Sequence, residues 1–356
     1  MKVERGALIR AMNIAAMVME TRNTIPILSH MAIVPMGESV TFTGTDLDME
    51  VSAEIRSLSV GGEPFTIAAP SRVARVLNLG ADEVEMEQGT VDKSKTIIGV
   101  RSGRLDLRVL TLPYIDAMLR AARAVSTEET RYYLNGLYLH PSDEPSTVSS
   151  MSLKAVSTDG HRLYVAPIAA AGIEALAQAM PANSSPLRGV SEGRGVIIPR
   201  KAINLLRRLR PKIDGAVTFG VAPRMLENSD KTLAPATAGT IASFAFTMNK
   251  GETSVRISTK VIDGTFPAYD RVIPAGEQDK RVQVKRGELA QAVRLIGATT
   301  TGRTKAVRLH FDPAQERLAV EAVDVEDILS AAVWIPARTN VKEPFTVVVN
   351  GRYLAD

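Results

Sequence analysis

Cysteine is absent from all 356 residues. Disulfides and thiolate metal centres are therefore excluded, and a reducing compartment, the cytoplasm, is the natural setting. Histidine occurs only four times, as His30, His140, His161 and His310, without ligand spacing between them. No Walker-type or dinucleotide-binding glycine loop is present. No apolar run approaches the ~18 residues that a membrane span needs. The N-terminus breaks its apolar residues with Lys2, Glu4, Arg5 and Arg10, so it does not read as a signal peptide. Neither charge sign dominates, the formal net charge being +4. Only a clustering of cations on one surface would point to a polyanionic partner. No metal, no cofactor and no catalytic residue is expected. Asp46, Asp48 and Glu50 alternate and could place three carboxylates on one strand face for a divalent cation, and Asp159 with His161 could form an acid/base pair, although no nucleophile or third partner is placed beside it.

What is present is repetition. At Leu153–Pro167, apolar residues flank the polar break Thr158-Asp159-Gly160-His161-Arg162, which reads as strand, tight turn, strand. A similar break occurs at Phe42–Val51, around Thr45-Asp46-Leu47-Asp48, and a weaker one at Leu318–Ile328. Short apolar strands followed by amphipathic helices recur as well. The spacing predicts helices over Arg5–Glu20, after Phe65–Pro70, over Ile115–Val125, after Val196–Pro199, after Val282–Val284 and after Phe345–Val349. In the fourth, Ala202, Ile203, Leu205, Leu206 and Leu209 fill one arc, and Arg200, Lys201, Asn204, Arg207 and Arg208 the other. From Val3 to Thr66 is 63 residues, and from Val282 to Phe345 is again 63, which supports duplication. The expected fold is α+β: three repeated domains, 1–113, 114–265 and 266–356, each with two helices on antiparallel sheets. Two Ala/Pro/Ser/Gly-rich stretches, Ala169–Gly195 and Ala222–Gly239, read as loops inserted in the middle domain.

These motifs, in this order, resemble the bacterial DNA polymerase III beta subunit, the beta sliding clamp family. The resemblance is carried by Thr24-Ile25-Pro26-Ile27-Leu28, Thr45-Asp46-Leu47-Asp48-Met49-Glu50, Arg101-Ser102-Gly103-Arg104 and Arg131-Tyr132-Tyr133-Leu134-Asn135-Gly136. It continues through Thr158–Leu163, Ile198-Pro199-Arg200-Lys201 and Asp263-Gly264-Thr265-Phe266-Pro267-Ala268-Tyr269. It implies a cytoplasmic, non-enzymatic processivity factor that closes around duplex DNA as a head-to-tail homodimer. A protein that slides cannot read bases, and needs instead a diffuse basic surface facing phosphates. The outward cations Arg10, Arg75, Arg120, Arg123, Arg200, Lys201, Arg207, Arg208 and Arg294 could supply it, and the resemblance adds Arg22 and Arg271.

By the same resemblance, the polymerase catalytic subunit and the clamp loader insert short linear peptides between the second and third domains. Thr158, Gly160, His161, Arg162 and Leu163 from the turn, Pro267, Arg271 and Val272 from the linker, and Asn350 and Tyr353 from the third domain would line that groove. Ring closure would use Leu107 and Val109 on an edge strand of the first domain against Leu295 and Ile296 of the third. Two departures from the family stand out. Leu112-Pro113 runs almost directly into the third helix, so the opening strand of the second domain is expected to be missing. The last half-repeat, Phe345–Asp356, has 12 residues against 49 in Phe65–Pro113, so the third domain reads as C-terminally truncated. A clamp-derived peptide-binding protein that does not encircle DNA is the alternative function.

Overall fold

Glu4 starts the first helix. Its backbone is extended and its carboxylate accepts from Gly6 N at 2.7 Å and from Ala7 N, satisfying amides that a helix N-terminus leaves open. The computed structural model describes residues 2–20, 25–58, 64–68, 70–71, 74, 83–85, 106–110, 112–142, 152–168, 180, 195–227, 233–248, 251–275, 280–299, 306–322 and 331–355. Their contacts group the chain into one unit, Met1–Asp270, and a second, Arg271–Asp356.

In the first unit the elements run β1 (Lys2–Glu4), α1 (Arg5–Ala15), β2 (His30–Met36), β3 (Ser39–Thr45), β4 (Met49–Arg56), β5 (Phe65–Ala68), β6 (Glu83–Glu85) and β7 (Asp106–Leu110). They continue through α2 (Leu112–Ala121), β8 (Gly136–Ser142), β9 (Ser152–Thr158), β10 (Leu163–Ile168) and β11 (Val196–Pro199). Then follow α3 (Arg200–Leu209), β12 (Ile213–Glu227), β13 (Leu233–Met248) and β14 (Thr253–Lys260). One eight-stranded sheet has the order β5-β2-β3-β4-β14-β13-β12-β7. Antiparallel pairing of β4 with β14, from Ile55↔Thr253 to Met49↔Thr259, makes strands from the first two expected repeats a single sheet. A four-stranded sheet has the order β10-β9-β8-β11, and β1 pairs with β6.

Strand β8 is buried on both faces along its whole length. Leu137 and Leu139 join the main core with Ile115, Met118, Ile203 and Leu206 from the helices. Tyr138 points the other way, into a smaller cluster with Leu134, Val156, Ile197, Phe266 and Tyr269. The period-two alternation of a strand thus gives one sheet two cores. In the second unit β15 (Val282–Val284), α4 (Arg286–Thr299), β16 (Ala306–Asp312), β17 (Arg317–Ala322), β18 (Ala332–Thr339), β19 (Phe345–Asn350) and α5 (Gly351–Ala355) form a five-stranded sheet of order β15-β18-β17-β16-β19 with a core of its own.

The structure revises several expectations. An opening strand for the middle repeat is not missing: β7 precedes α2 and pairs with β12 from Val217↔Leu110 to Val221↔Asp106. The strand expected to close the first domain is therefore bonded to a middle-repeat strand. Ala222–Gly239 is not an inserted loop over most of its length, because β12 and β13 extend through it as a hairpin with a register shift between Pro223 and Met225. Most of Ala169–Gly195 lies outside the described residues, as does most of the helix expected after Pro70. The first helix ends at Ala15, five residues short of the expected Glu20.

Candidate nucleic-acid and partner-binding surfaces

Helix α2, with the 3-10 turn Ala122–Ala124 that follows it, and helix α3 are amphipathic in the way the sequence dictates. Ile115, Met118, Leu119, Ala202, Ile203, Leu205, Leu206 and Leu209 are buried, and Arg120, Arg123, Arg200, Lys201, Arg207 and Arg208 are exposed. What distinguishes these cations is whether a carboxylate neutralises them. Lys201 is bonded to Asp46, and Arg210 donates to both oxygens of Asp116 at 2.8 Å each. Arg10 lies 3.0 Å from Glu252 and 3.7 Å from Glu4. Arg120, Arg123, Arg200 and Arg208 have no ion pair among the described residues. Arg207 donates to Leu119 O at 3.2 Å and to Asn204 Oδ1 at 2.9 Å, tying α3 to α2. Partial burial, and then the positive charge of Arg123, lowers its pKa.

Arg294 is exposed on α4, and Arg271 is exposed at the start of the second unit. Arg22 and Arg75 lie outside the described residues.

The two polar breaks fold into the same turn. In the first, Thr45 Oγ1 accepts from Leu47 N at 3.1 Å and donates to Met49 O at 2.9 Å, while Asp46 Oδ1 accepts from Asp48 N and Met49 N at 3.1 and 2.7 Å. In the second, Thr158 Oγ1 accepts from Gly160 N at 3.1 Å and donates to Arg162 O at 2.7 Å, while Asp159 Oδ1 accepts from His161 N and Arg162 N at 3.0 Å each. The left-handed position is Leu47 (φ 78°) in one and Gly160 (φ 87°) in the other. A Cβ on Gly160 would also meet Arg131 Nη1 at 2.9 Å. Lysines claim the first turn, Lys201 on Asp46 and Lys260 on Asp48 at 3.0 Å. This overturns the three-carboxylate strand face: Asp46 and Asp48 belong to a turn and are held by ammonium groups, and only Glu50 stands on a strand. Burial raises the Glu50 pKa, against a hydrogen bond from Ser52 and the charge of Arg256.

Around the second turn, Arg162 does not project into solvent. Its guanidinium donates to Asp159 Oδ2 at 3.1 Å and to the Arg123 carbonyl at 2.8 Å. His161 and Gly160 are exposed, Thr158 is half-buried, and Leu163 packs on the small cluster that also holds Phe266, Ala268 and Tyr269. The turn, Leu163 and the strap carrying Pro267 are thus brought together within one unit. Val272 is 71% exposed. Asn350 and Tyr353 belong to the second unit, where Asn350 Oδ1 accepts from Arg352 N at 3.0 Å and opens α5. Of the residues expected at ring closure, Leu295 is 53% exposed, but Ile296 is 2% exposed and part of the second unit's core, so it cannot also be a surface anchor. Leu107 and Val109 lie on β7, where β12 already occupies one edge. Sequence reasoning missed Arg131 over Gly160 and the lysines on the first turn; acid–base partners so far apart in the chain leave no local signal.

The arrangement of helices on shared antiparallel sheets defines a class, the DNA clamps. A Bartonella birtlesii DnaN sliding clamp, solved with griselimycin bound, superposes with TM-score 0.74 at 27% identity, covering 100% of this chain and 88% of that one. A Caulobacter crescentus beta sliding clamp, with PEG bound to a putative beta-motif tethering region, gives 0.74 at 27% identity over 99% and 88%. The family models for the N-terminal and central domains of the DNA polymerase III beta subunit match residues 1–118 and 114–268. The Caulobacter vibrioides beta sliding clamp is 32% identical over 379 residues, 99% of this chain and 88% of that protein. The Escherichia coli K12 clamp is 26% identical over 92% of the chain and 82% of that protein. The chain belongs to the DNA polymerase III beta subunit family, the beta sliding clamps. Its function is that of a DNA sliding clamp, a non-catalytic processivity subunit.

Proposed function

We propose that this chain tethers the replicative polymerase to duplex DNA in the cytoplasm, as a head-to-tail homodimer of three-domain subunits, without reading sequence. In this reading Arg120, Arg123, Arg200, Arg207 and Arg208 face the phosphates. The Thr158–Leu163 turn and the Pro267 strap receive short linear peptides from the polymerase catalytic subunit and the clamp loader. Leu295 contributes to ring closure. The observation that supports it most is the split among the helix cations: Arg120, Arg123, Arg200 and Arg208 have no ion pair among the described residues, whereas Arg10, Lys201 and Arg210 are each paired with a carboxylate. Guanidiniums without a carboxylate partner on an exposed helix face suit salt-dependent backbone contact. The test is a primer-extension assay on a primed circular template. Longer products on adding the chain with its clamp loader are expected, together with retention on closed but not linearised circles. No gain in length at any concentration would remove the proposal.

A further inference from the structure

Strand β8 presents two polar-tipped rings, Tyr138 and His140, on the face turned away from the helices, and they are 0% and 1% exposed. A buried imidazole in a strand must be satisfied, and its partners here are specific. His140 Nδ1 lies 2.7 Å from Pro141 O. A carbonyl only accepts, so the neutral ring carries its proton on Nδ1 and accepts at Nε2 from the Tyr269 hydroxyl, 2.9 Å away. Tyr138 stacks on His140 at 5.0 Å and on Phe266 at 4.8 Å, the latter pair only 10° from parallel. The Tyr138 ring is seated against Gly195, where a Cβ would come within 2.6 Å of Tyr138 Cε2.

Phe266 and Tyr269 both belong to the strap Asp263–Tyr269, which among the described residues has no strand pairing of its own beyond an Ile262–Ile197 bridge just before it. One strand therefore fastens the strap twice, by ring stacking at Phe266 and by a hydrogen bond at Tyr269. Between those two points lies Pro267, exposed, and Leu163 packs on the same cluster.

We propose that His140 and Tyr269 are positioning residues for the partner groove: their bond holds the strap so that Pro267, and the residues that follow it, stand ready for an incoming linear peptide. The inference rests on the reading of turn and strap as that groove. A strap already ordered before binding does not have to be ordered by the ligand, so the clasp acts as preorganisation. Neither residue needs to touch the peptide.

The test uses the full chain as wild type, Tyr269→Phe, His140→Ala and His140→Gln. Two readouts are taken: amide hydrogen exchange, and fluorescence-anisotropy binding of a labelled peptide carrying the clamp-binding segment of the polymerase catalytic subunit. Tyr269→Phe removes one hydroxyl and keeps the ring, so unfolding is not the concern; a melting curve of each variant confirms the fold. Exchange across the strap should quicken in Tyr269→Phe and His140→Ala while the β4–β14 pairing stays protected. Peptide affinity should fall on the order of tenfold, equivalent to roughly 1.4 kcal/mol. His140→Gln, which still offers an acceptor to Tyr269, should recover part of both. DNA retention, carried by α2 and α3, should not change. Unchanged strap exchange would overturn the clasp, and faster exchange with wild-type affinity would overturn its role in positioning. Wild-type protein that fails to bind the peptide would instead sink the groove reading and the positioning role with it, while exchange alone would still decide whether the clasp holds the strap.

Discussion

Replacing the aspartate of each repeated turn by alanine measures what the shared turn is worth and whether the two copies differ as their surroundings require. Asp46 Oδ1 accepts two backbone amides, Asp48 N and Met49 N, and Oδ2 is bonded to Lys201; its side chain is 4% exposed. Asp159 makes the same two amide contacts and one to Arg162 Nε, with its side chain 17% exposed. A hydrogen bond to a charged acceptor contributes ~1.5–3 kcal/mol, and orphaned buried donors add cost, but amides near an exposed turn tip are partly rescued by water. We therefore expect Asp46→Ala to cost about 2–3 kcal/mol and Asp159→Ala about 1–2 kcal/mol. At roughly 2–4 °C per kcal/mol for a unit of this size, Asp46→Ala should lower Tm by ~5–10 °C. Asp46→Asn keeps the Oδ1 acceptor and should lose about half as much. Urea and thermal unfolding followed by circular dichroism read all three. Equal costs for the two alanine variants, or a larger cost at Asp159, would refute the argument that burial of the turn carboxylate sets the penalty.

Charge partnering gives a second expectation. Arg123→Ala with Arg200→Ala should reduce the log–log salt slope of DNA association by roughly 0.9 per lost contact, whereas Lys201→Ala should leave it unchanged, as read by filter binding across a salt series. Leu163→Asp puts a carboxylate into the small cluster beside the strap and should abolish peptide binding in an anisotropy titration while the helical far-ultraviolet signal persists. Burial holds the Glu50 proton more tightly in the folded protein than in the unfolded chain. Ionising Glu50 therefore costs stability as pH rises above the unfolded value near ~4.3. Glu50→Gln should melt higher than wild type at pH 7 and match it at pH 4.

The helices were legible because a 3.6-residue stripe needs only local information, and the α3 wheel divides its leucines from its arginines without ambiguity. The turns were legible for the same reason, since Thr-Asp chemistry is made within five residues. Lys201 shows where that reading stops: the wheel places it outward, but the acid that claims it is 155 residues away in the chain. Strand β7 failed differently. Its alternating Leu107 and Val109 fit either sheet, and only pairing with β12 decides the matter. The Ala222–Gly239 stretch was misread because small residues and proline look like a loop by composition, while a long hairpin needs only a partner strand of similar register. Ile296 was placed on a surface by resemblance, although its own helical spacing with Ala292 and Val293 puts it in the core.

A clamp must hold a polyanion and a protein partner at once, and on the faces proposed for them strand β8 lies between the two. Its odd-numbered leucines, Leu137 and Leu139, seat the helices that carry Arg120, Arg123, Arg200 and Arg208. Its even-numbered rings, Tyr138 and His140, seat the strap that carries Pro267. The layer between the phosphate-facing candidates and the peptide-facing candidates is a sheet whose backbone hydrogen bonds fix both sides together. Arg162 ties the two at one edge, since its guanidinium spans the turn carboxylate of Asp159 and the carbonyl of Arg123. Charge contacts on one face can then strengthen or weaken with salt without disturbing the apolar cluster on the other, which is what a protein needs if its grip on DNA must stay loose while its grip on a partner stays firm.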